Sequence, residues 1–139
     1  MKVIDASNSV YGRLSTKIAK ELLNGEEIVI INSASVVVTG SKESVLKRFR
    51  ARRDIGSVRK GPHYPRSPNA ILRRSIGQML PKKTTRGKEA LSRCKVYNFE
   101  PKLYKDSKKE RIEGADNSRM SGFVTLLEIS KHLGIEVNQ

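Results

Sequence analysis

The stretch that decides the fold is Val3-Ile4-Asp5, then Ala6-Ser7-Asn8-Ser9, a segment carrying Leu14, Ile18 and Leu22, then Gly25, and Ile28-Val29-Ile30-Ile31. Two apolar residues closed by Asp5 read as a short strand. Leu14, Ile18 and Leu22 recur at i, i+4 and i+8, which places them on one face of a helix, and Gly25 stops that helix. The run 28–31 is β-branched throughout and does not alternate, the pattern of a strand buried on both faces of a sheet. A strand, a helix and a strand in this order form a βαβ unit, whose connection is right-handed in nearly all cases and whose strands are parallel. The chain therefore reads as α/β.

Working outward, the turn-prone Asn32-Ser33 leads to a third apolar strand, Val36-Val37-Val38. Gly40-Ser41 ends it, and Ser41 is suited to cap a helix in which Glu43 favours the first turn and Val45, Leu46 and Phe49 face inward. Residues 55–67 form a loop rich in Gly, Pro and Arg with no apolar cluster to anchor it. Ser67-Pro68 reads as an N-cap followed by proline at the first helical position, and Ile71, Leu72, Ile76, Met79 and Leu80 supply an inward stripe until Pro81. A second basic loop over 82–86 precedes a short helix at 88–94 and a strand at 95–99. Residues 101–121 hold few apolar side chains and many charges of both signs, so this stretch is expected to be an extended arm or loop within one domain spanning 1–139. Thr125 and Glu128 make a T-x-x-E capping box ahead of Leu126, Leu127, Ile129 and Leu133, with Gly134 as the stop, which predicts a final helix.

Charge carries the functional signal. The chain has 139 residues and a net charge of +14, from 28 Lys and Arg against 14 Asp and Glu. Residues 42–95 hold seventeen of the cations and only three acids, Glu43, Asp54 and Glu89, while the segments before and after carry four and seven of each sign. The whole excess sits in the middle of the chain. Charge added for solubility would be spread over the surface; charge confined to one stretch is the footprint of a polyanion binder.

The same composition excludes other classes. A chain of this size buries roughly two-thirds of its unfolded surface, enough for one core. Cys94 is the single cysteine, so no internal disulfide forms and a cytosolic setting is the default. No run approaches 18 apolar residues and the first 24 residues do not read as a secretory signal, so membrane insertion is not expected. Surface anchors pair basic residues with large apolar ones, whereas 42–95 holds no Trp, one Phe and one Tyr. His63, His132 and Cys94 offer no ligand set at zinc spacing, so no metal and no cofactor is expected. With so few acids among the cations, a carboxylate-based hydrolase has little to build on. Cys94 stands between Arg93 and Lys95, where a lowered pKa would make it reactive, but a small buried thiol is the favoured reading. Asp5 and the polar loop before Gly12 suggest a phosphate site at a helix N-terminus, yet neither G-x-G-x-x-G nor the P-loop pattern is present, and ordinary turn and capping chemistry is favoured.

The candidate polyanion contacts are Arg48, Arg50, Arg52, Arg53, Arg59, Lys60, Arg66, Arg73, Arg74, Lys82, Lys83, Arg86, Lys88 and Arg93. Arginine offers a planar fork that bridges phosphate oxygens, and Gly and Pro keep the loops open. His63 and Tyr64 are candidates for stacking on unpaired bases, with a purely structural loop role open for each.

Several strings carry a family resemblance. Val3-Ile4-Asp5-Ala6 with Gly12-Arg13-Leu14, then 28–32, then Val38-Thr39-Gly40, resemble the N-terminal half of the L-thirteen family of large-subunit ribosomal proteins. Ile76-Gly77-Gln78-Met79-Leu80-Pro81, Arg86-Gly87 and Leu91-Ser92-Arg93-Cys94-Lys95-Val96-Tyr97 follow its signature, with Gln78 where Gly is common. Lys60-Gly61-Pro62-His63-Tyr64 and Lys82-Lys83-Thr84-Thr85-Arg86-Gly87 look like the archaeal and eukaryotic branch, and the short length suggests the archaeal side. The resemblance covers most of 3–104 and returns at the last helix. It implies a three-layer α/β/α fold with a small parallel sheet, binding to large-subunit ribosomal RNA of the 23S class during and after assembly, neighbouring large-subunit proteins as partners, a cytoplasmic location and no catalysis. Two rivals stay open on sequence: a free-standing RNA- or DNA-binding regulator, and a nucleotide-dependent enzyme built on Asp5 and its loop.

Overall fold

The computed structural model describes residues 1–138. Strand β1 (Lys2–Asp5), helix α1 (Tyr11–Leu23) and strand β2 (Ile28–Ile31) form the expected βαβ unit, with β1 and β2 parallel and Ile4 opposite Ile30. A 3-10 turn at Ser33–Ser35 leads to β3 (Val37–Thr39), α2 (Lys42–Asp54), α3 (Pro68–Gln78), α4 (Thr85–Ser92) and β4 (Cys94–Val96). A second 3-10 turn, Lys102–Tyr104, precedes β5 (Lys109–Glu110), β6 (Phe123–Thr125) and α5 (Leu126–His132). The main sheet has the order β4-β2-β1-β5, and every pairing in it is parallel.

Alternation along the strands divides the core in two. Ile4, Ile28 and Ile30 face Leu14, Ile18 and Leu22 of α1 and join Ile71, Leu72 and Ile76 of α3 in the main core. Val3, Val29 and Ile31 point to the opposite face, where Tyr104 covers them and Tyr97 packs alongside, the two rings 5.9 Å apart. The molecule is thus a three-layer α/β fold whose third layer is thin, a single 3-10 turn with its tyrosine.

Strand β3 does not join the main sheet. It pairs antiparallel with β6, Val38 opposite Val124, so the apolar run of 36–38 is buried by a partner 86 positions along the chain and by α1. The segment 101–121 is exposed over most of its length but pinned at three places: Tyr104 is buried, Ala115 is fully buried with Ile112 packed on the main core, and β5 pairs with β1.

Three local expectations need correction. The short helix starts at Thr85, not at 88, because Thr84 accepts a hydrogen bond from the Gly87 N–H at 3.3 Å and so ends the loop early. Ser67 occupies the N-cap position of α3 but makes no side-chain cap; Asn98 Oδ1 accepts from the Asn69 N–H at 2.9 Å instead, and in turning to do so the chain ends β4 at Val96 rather than at 99. Met79 lies beyond the last turn of α3 and is 43% exposed, so it leaves the inward stripe.

Candidate nucleic-acid interface

Helix α2 is attached by a narrow seam. Only Val45 and Phe49 are buried in its 13 residues, with Leu46 half-buried and Ser41 accepting from the Ser44 N–H at its start. That spacing leaves the rest of the circumference to solvent, and Lys42, Lys47, Arg48, Arg50 and Arg52 are all exposed there. The Arg52 guanidinium lies 5.4 Å from the Phe49 ring centre, and Arg53 donates to Asp54 at 3.0 Å.

The following loop is braced by backbone bonds rather than by a core. Ser57 and Gly61 exchange two N–H to carbonyl bonds, at 3.1 and 3.0 Å. Gly56 enters this turn at φ +88, and a Cβ there would lie 2.5 Å from the Pro62 ring, so only glycine fits. The turn presents Arg59 and Lys60, both exposed. His63 is exposed and Tyr64 half-buried, with the Arg74 guanidinium 4.4 Å above the Tyr64 ring. Arg66 is exposed, and its carbonyl accepts from Ser130 Oγ of α5, which ties the loop to the body of the molecule.

On α3, burial of Ile71, Leu72, Ser75 and Ile76 turns Arg73 and Arg74 outward by helical spacing. Lys82, Lys83, Arg86 and Lys88 are exposed around the start of α4, whereas Arg93 is half-buried. Three of the arginines reach backbone carbonyls. Arg73 donates to Leu91 O at 3.3 Å and Cys94 O at 3.5 Å, Arg86 to Leu23 O at 3.2 Å, and Arg93 to Leu22 O at 2.7 Å. The carbonyls of Leu22 and Leu23 belong to the last turn of α1; Leu22 O also accepts from the Gly25 N–H at 3.1 Å, and a cation there meets the negative end of the dipole. The Arg93 Nε is buried without a partner. This bracing role has no local signal, since Arg93 and Leu22 lie 71 positions apart.

Among the described residues, one ion pair falls inside 42–95, Arg53 with Asp54; the other four lie in the flanks. The middle segment therefore presents a surface whose positive charge is almost uncompensated. Between α3 and α4 this surface opens into a groove of about 400 Å³ lined by Ala70, Arg73, Arg74, Gly77, Gln78, Lys82 and Leu91.

The other sequence candidates resolve differently. Asp5 Oδ1 accepts from the Ser7 N–H at 3.0 Å, Ser7 Oγ at 2.7 Å and Asn32 Nδ2 at 3.0 Å, and Arg111 donates to Ser7 O at 2.5 Å and to Asp116 at 2.9 Å. Burial pushes the Asp5 carboxyl up, but the bonds from Asn32 and Ser7, with the Arg111 charge, outweigh it and hold the pKa below the ordinary value. The strand-end loop is closed on itself by turn chemistry. Cys94 is 2% exposed, and burial, countered in part by Arg73, pushes its thiol up to about 11. Among the described residues there is no group of three or more His, Cys, Asp or Glu placed to hold a metal, and no helix is long and apolar enough to cross a membrane.

Comparison with known proteins bears directly on this surface. The family model described as ribosomal protein L13 matches residues 1–102, a span that contains β1 to β4 and every candidate contact. The chain belongs to the ribosomal protein L13 family. Similar L13 relatives named large ribosomal subunit protein uL13 include that of Thermoplasma volcanium, 58% identical over 134 residues covering 96% of this chain and 98% of the relative. That of Thermoplasma acidophilum is 55% identical with the same coverage, and that of Archaeoglobus fulgidus is 44% identical over 95% of this chain and 86% of its own length. These relatives place the chain in the archaeal branch of the L13 family, and their coverage extends beyond the family model into β5, β6 and α5.

Proposed function

We propose that this protein is a structural component of the large ribosomal subunit, located in the cytoplasm, that binds 23S-class ribosomal RNA through the surface of 42–95 and supports subunit assembly. The observation that carries this reading is an almost unpaired cationic surface held on a well-packed body, in a chain whose archaeal relatives bear large-subunit names. Folded RNA crowds phosphates from several helices together, and a protein that lays cations between them lowers their repulsion and sets their packing. Arg48, Arg50, Arg52, Arg53, Arg59, Lys60, Arg66, Arg74, Lys82, Lys83 and Lys88 serve as phosphate contacts, joined by Arg73 and Arg86 through their remaining N–H groups, while Arg93 braces α1. His63, exposed beside these contacts, stacks on an unpaired base, and Tyr64 offers one only the ring face that Arg74 does not cover. The nearly neutral flanks suit contacts with neighbouring subunit proteins, and the chain does no catalysis.

The test combines sedimentation with salt titration. Tagged protein should travel with large subunits in high-magnesium gradients, and sedimentation away from them would favour a free-standing RNA-binding regulator. With about eight of these cations on phosphate at once, log K for ribosomal RNA should fall against log salt with a slope of roughly −6 to −7. Replacing Arg48, Arg50 and Arg59 together by Glu should flatten that slope by about one unit per lost contact while circular dichroism is unchanged. An unchanged slope would contradict the placement of the interface.

A further inference from the structure

The groove between α3 and α4 differs in kind from the rest of the cationic surface. Its floor is apolar, made by Ala70, Gly77 and Leu91, and its rim carries Arg73, Arg74, Gln78 and Lys82, with no acid among them. At about 400 Å³ it falls within the range of clefts that hold a small ligand, roughly 300–1,000 Å³. A phosphate gains nothing from an apolar floor. A planar heterocycle gains from it and from flat groups to stack on.

Two planar groups are set in place in advance. Arg73 is fixed by its bonds to the Leu91 and Cys94 carbonyls, so it forms a firm wall. Arg74 is held over the Tyr64 ring at 4.4 Å, a contact that restrains the guanidinium at the edge of the groove and covers one face of the ring. Arg74 and Gln78 also line the adjoining cleft with Tyr64, so they stand at the junction of the two. Gln78 is exposed at the end of α3, where its amide supplies both a donor and an acceptor.

We propose that this groove takes one unstacked nucleobase of the bound RNA. The base stacks on the Arg74 plane above the apolar floor, the Gln78 amide meets its polar edge, and Lys82 meets the adjoining phosphate. Single-stranded bases in RNA are recognised in this way, by aromatic or guanidinium planes and edge hydrogen bonds. The inference rests on the RNA-binding reading above and adds that one contact there is to a base.

The experiment uses the full chain and purified large-subunit ribosomal RNA. Arg74→Lys keeps the charge and removes the plane; Gln78→Ala removes the amide at a site that favours helix. Arg74→Lys should weaken binding about tenfold, within the range for loss of a stacked base, without changing the salt slope. Probing with dimethyl sulfate and a carbodiimide, which between them modify the pairing edges of all four bases, should show one unpaired base protected by the wild-type protein and reactive again with either variant. If both variants bind as tightly as wild type and re-expose no base, the groove is a phosphate seat and the proposal fails while RNA binding stands. If the wild-type protein does not bind the RNA, both readings fall.

Discussion

A methyl group at position 87 would collide with the Pro81 carbonyl oxygen and approach the Pro81 carbonyl carbon to 2.7 Å. The Arg86-Gly87 pair in the sequence is therefore a packing requirement as well as a charge: the first turn of α4 passes directly over the end of the preceding loop. Gly87→Ala should cost about 1–3 kcal/mol in urea denaturation, the range for forcing atoms into a filled site. Gly12→Ala, where nothing lies within 4 Å, should be neutral or stabilising by up to about 1 kcal/mol. Equal effects at the two positions would mean that Gly87 is not confined. Asp5 makes a second prediction at this scale. Its folded-state pKa lies below the ordinary 3.8, so its contribution is fully present above that value and is lost as pH falls through the lower, folded one. The stability difference between wild type and Asp5→Asn should thus shrink in acid. A difference that stays constant from about pH 6 to about pH 2.5 would show that the carboxylate charge contributes nothing.

At the scale of elements, what was legible in the sequence was local. The spacing of Leu14, Ile18 and Leu22 and the β-branched run 28–31 are read within a few residues, and both were found as expected. The pairing of β3 with β6 and of β5 with β1 joins distant segments, and no short-range pattern announces which strand will meet which. The start of α4 was obscured because Lys82, Lys83 and Arg86 made a capped helix look like a charged loop. The interface divides in the same way. A charge count points to 42–95 as the candidate surface, but the fact that Arg93 is bound to the end of α1 depends on a carbonyl from the opposite part of the chain. That difference is measurable. Arg93→Met should destabilise by about 1.5–3 kcal/mol, the value of a hydrogen bond to a charged group, whereas Arg50→Met on the open face of α2 should stay within about 0.5 kcal/mol. If the two variants unfold alike, the bracing of α1 by Arg93 has been overstated.

For the whole molecule, the arrangement separates two jobs. The main core of α1, α3 and the sheet supplies stiffness, and the middle segment is attached to it through Val45, Phe49, Ile71, Leu72 and Ile76, with most of its cations facing out. The flanks close the fold: β1, α1 and β2 begin the sheet, β5 forms its edge, β6 pairs with β3, and α5 packs on α2, α3 and the Ser33–Ser35 turn. Charge and packing then act together, since cations on a floppy chain would lose much of their effect to the entropy of ordering. Everything proposed for this molecule requires that 42–95 face the RNA. Ultraviolet crosslinking in intact cells, followed by mass spectrometry of nucleotide-bearing peptides, tests it most directly. Crosslinks should concentrate in 42–95, among them peptides containing Arg59, His63 or Arg74; crosslinks absent from this segment, or confined to 96–138, would show that the RNA lies on another face.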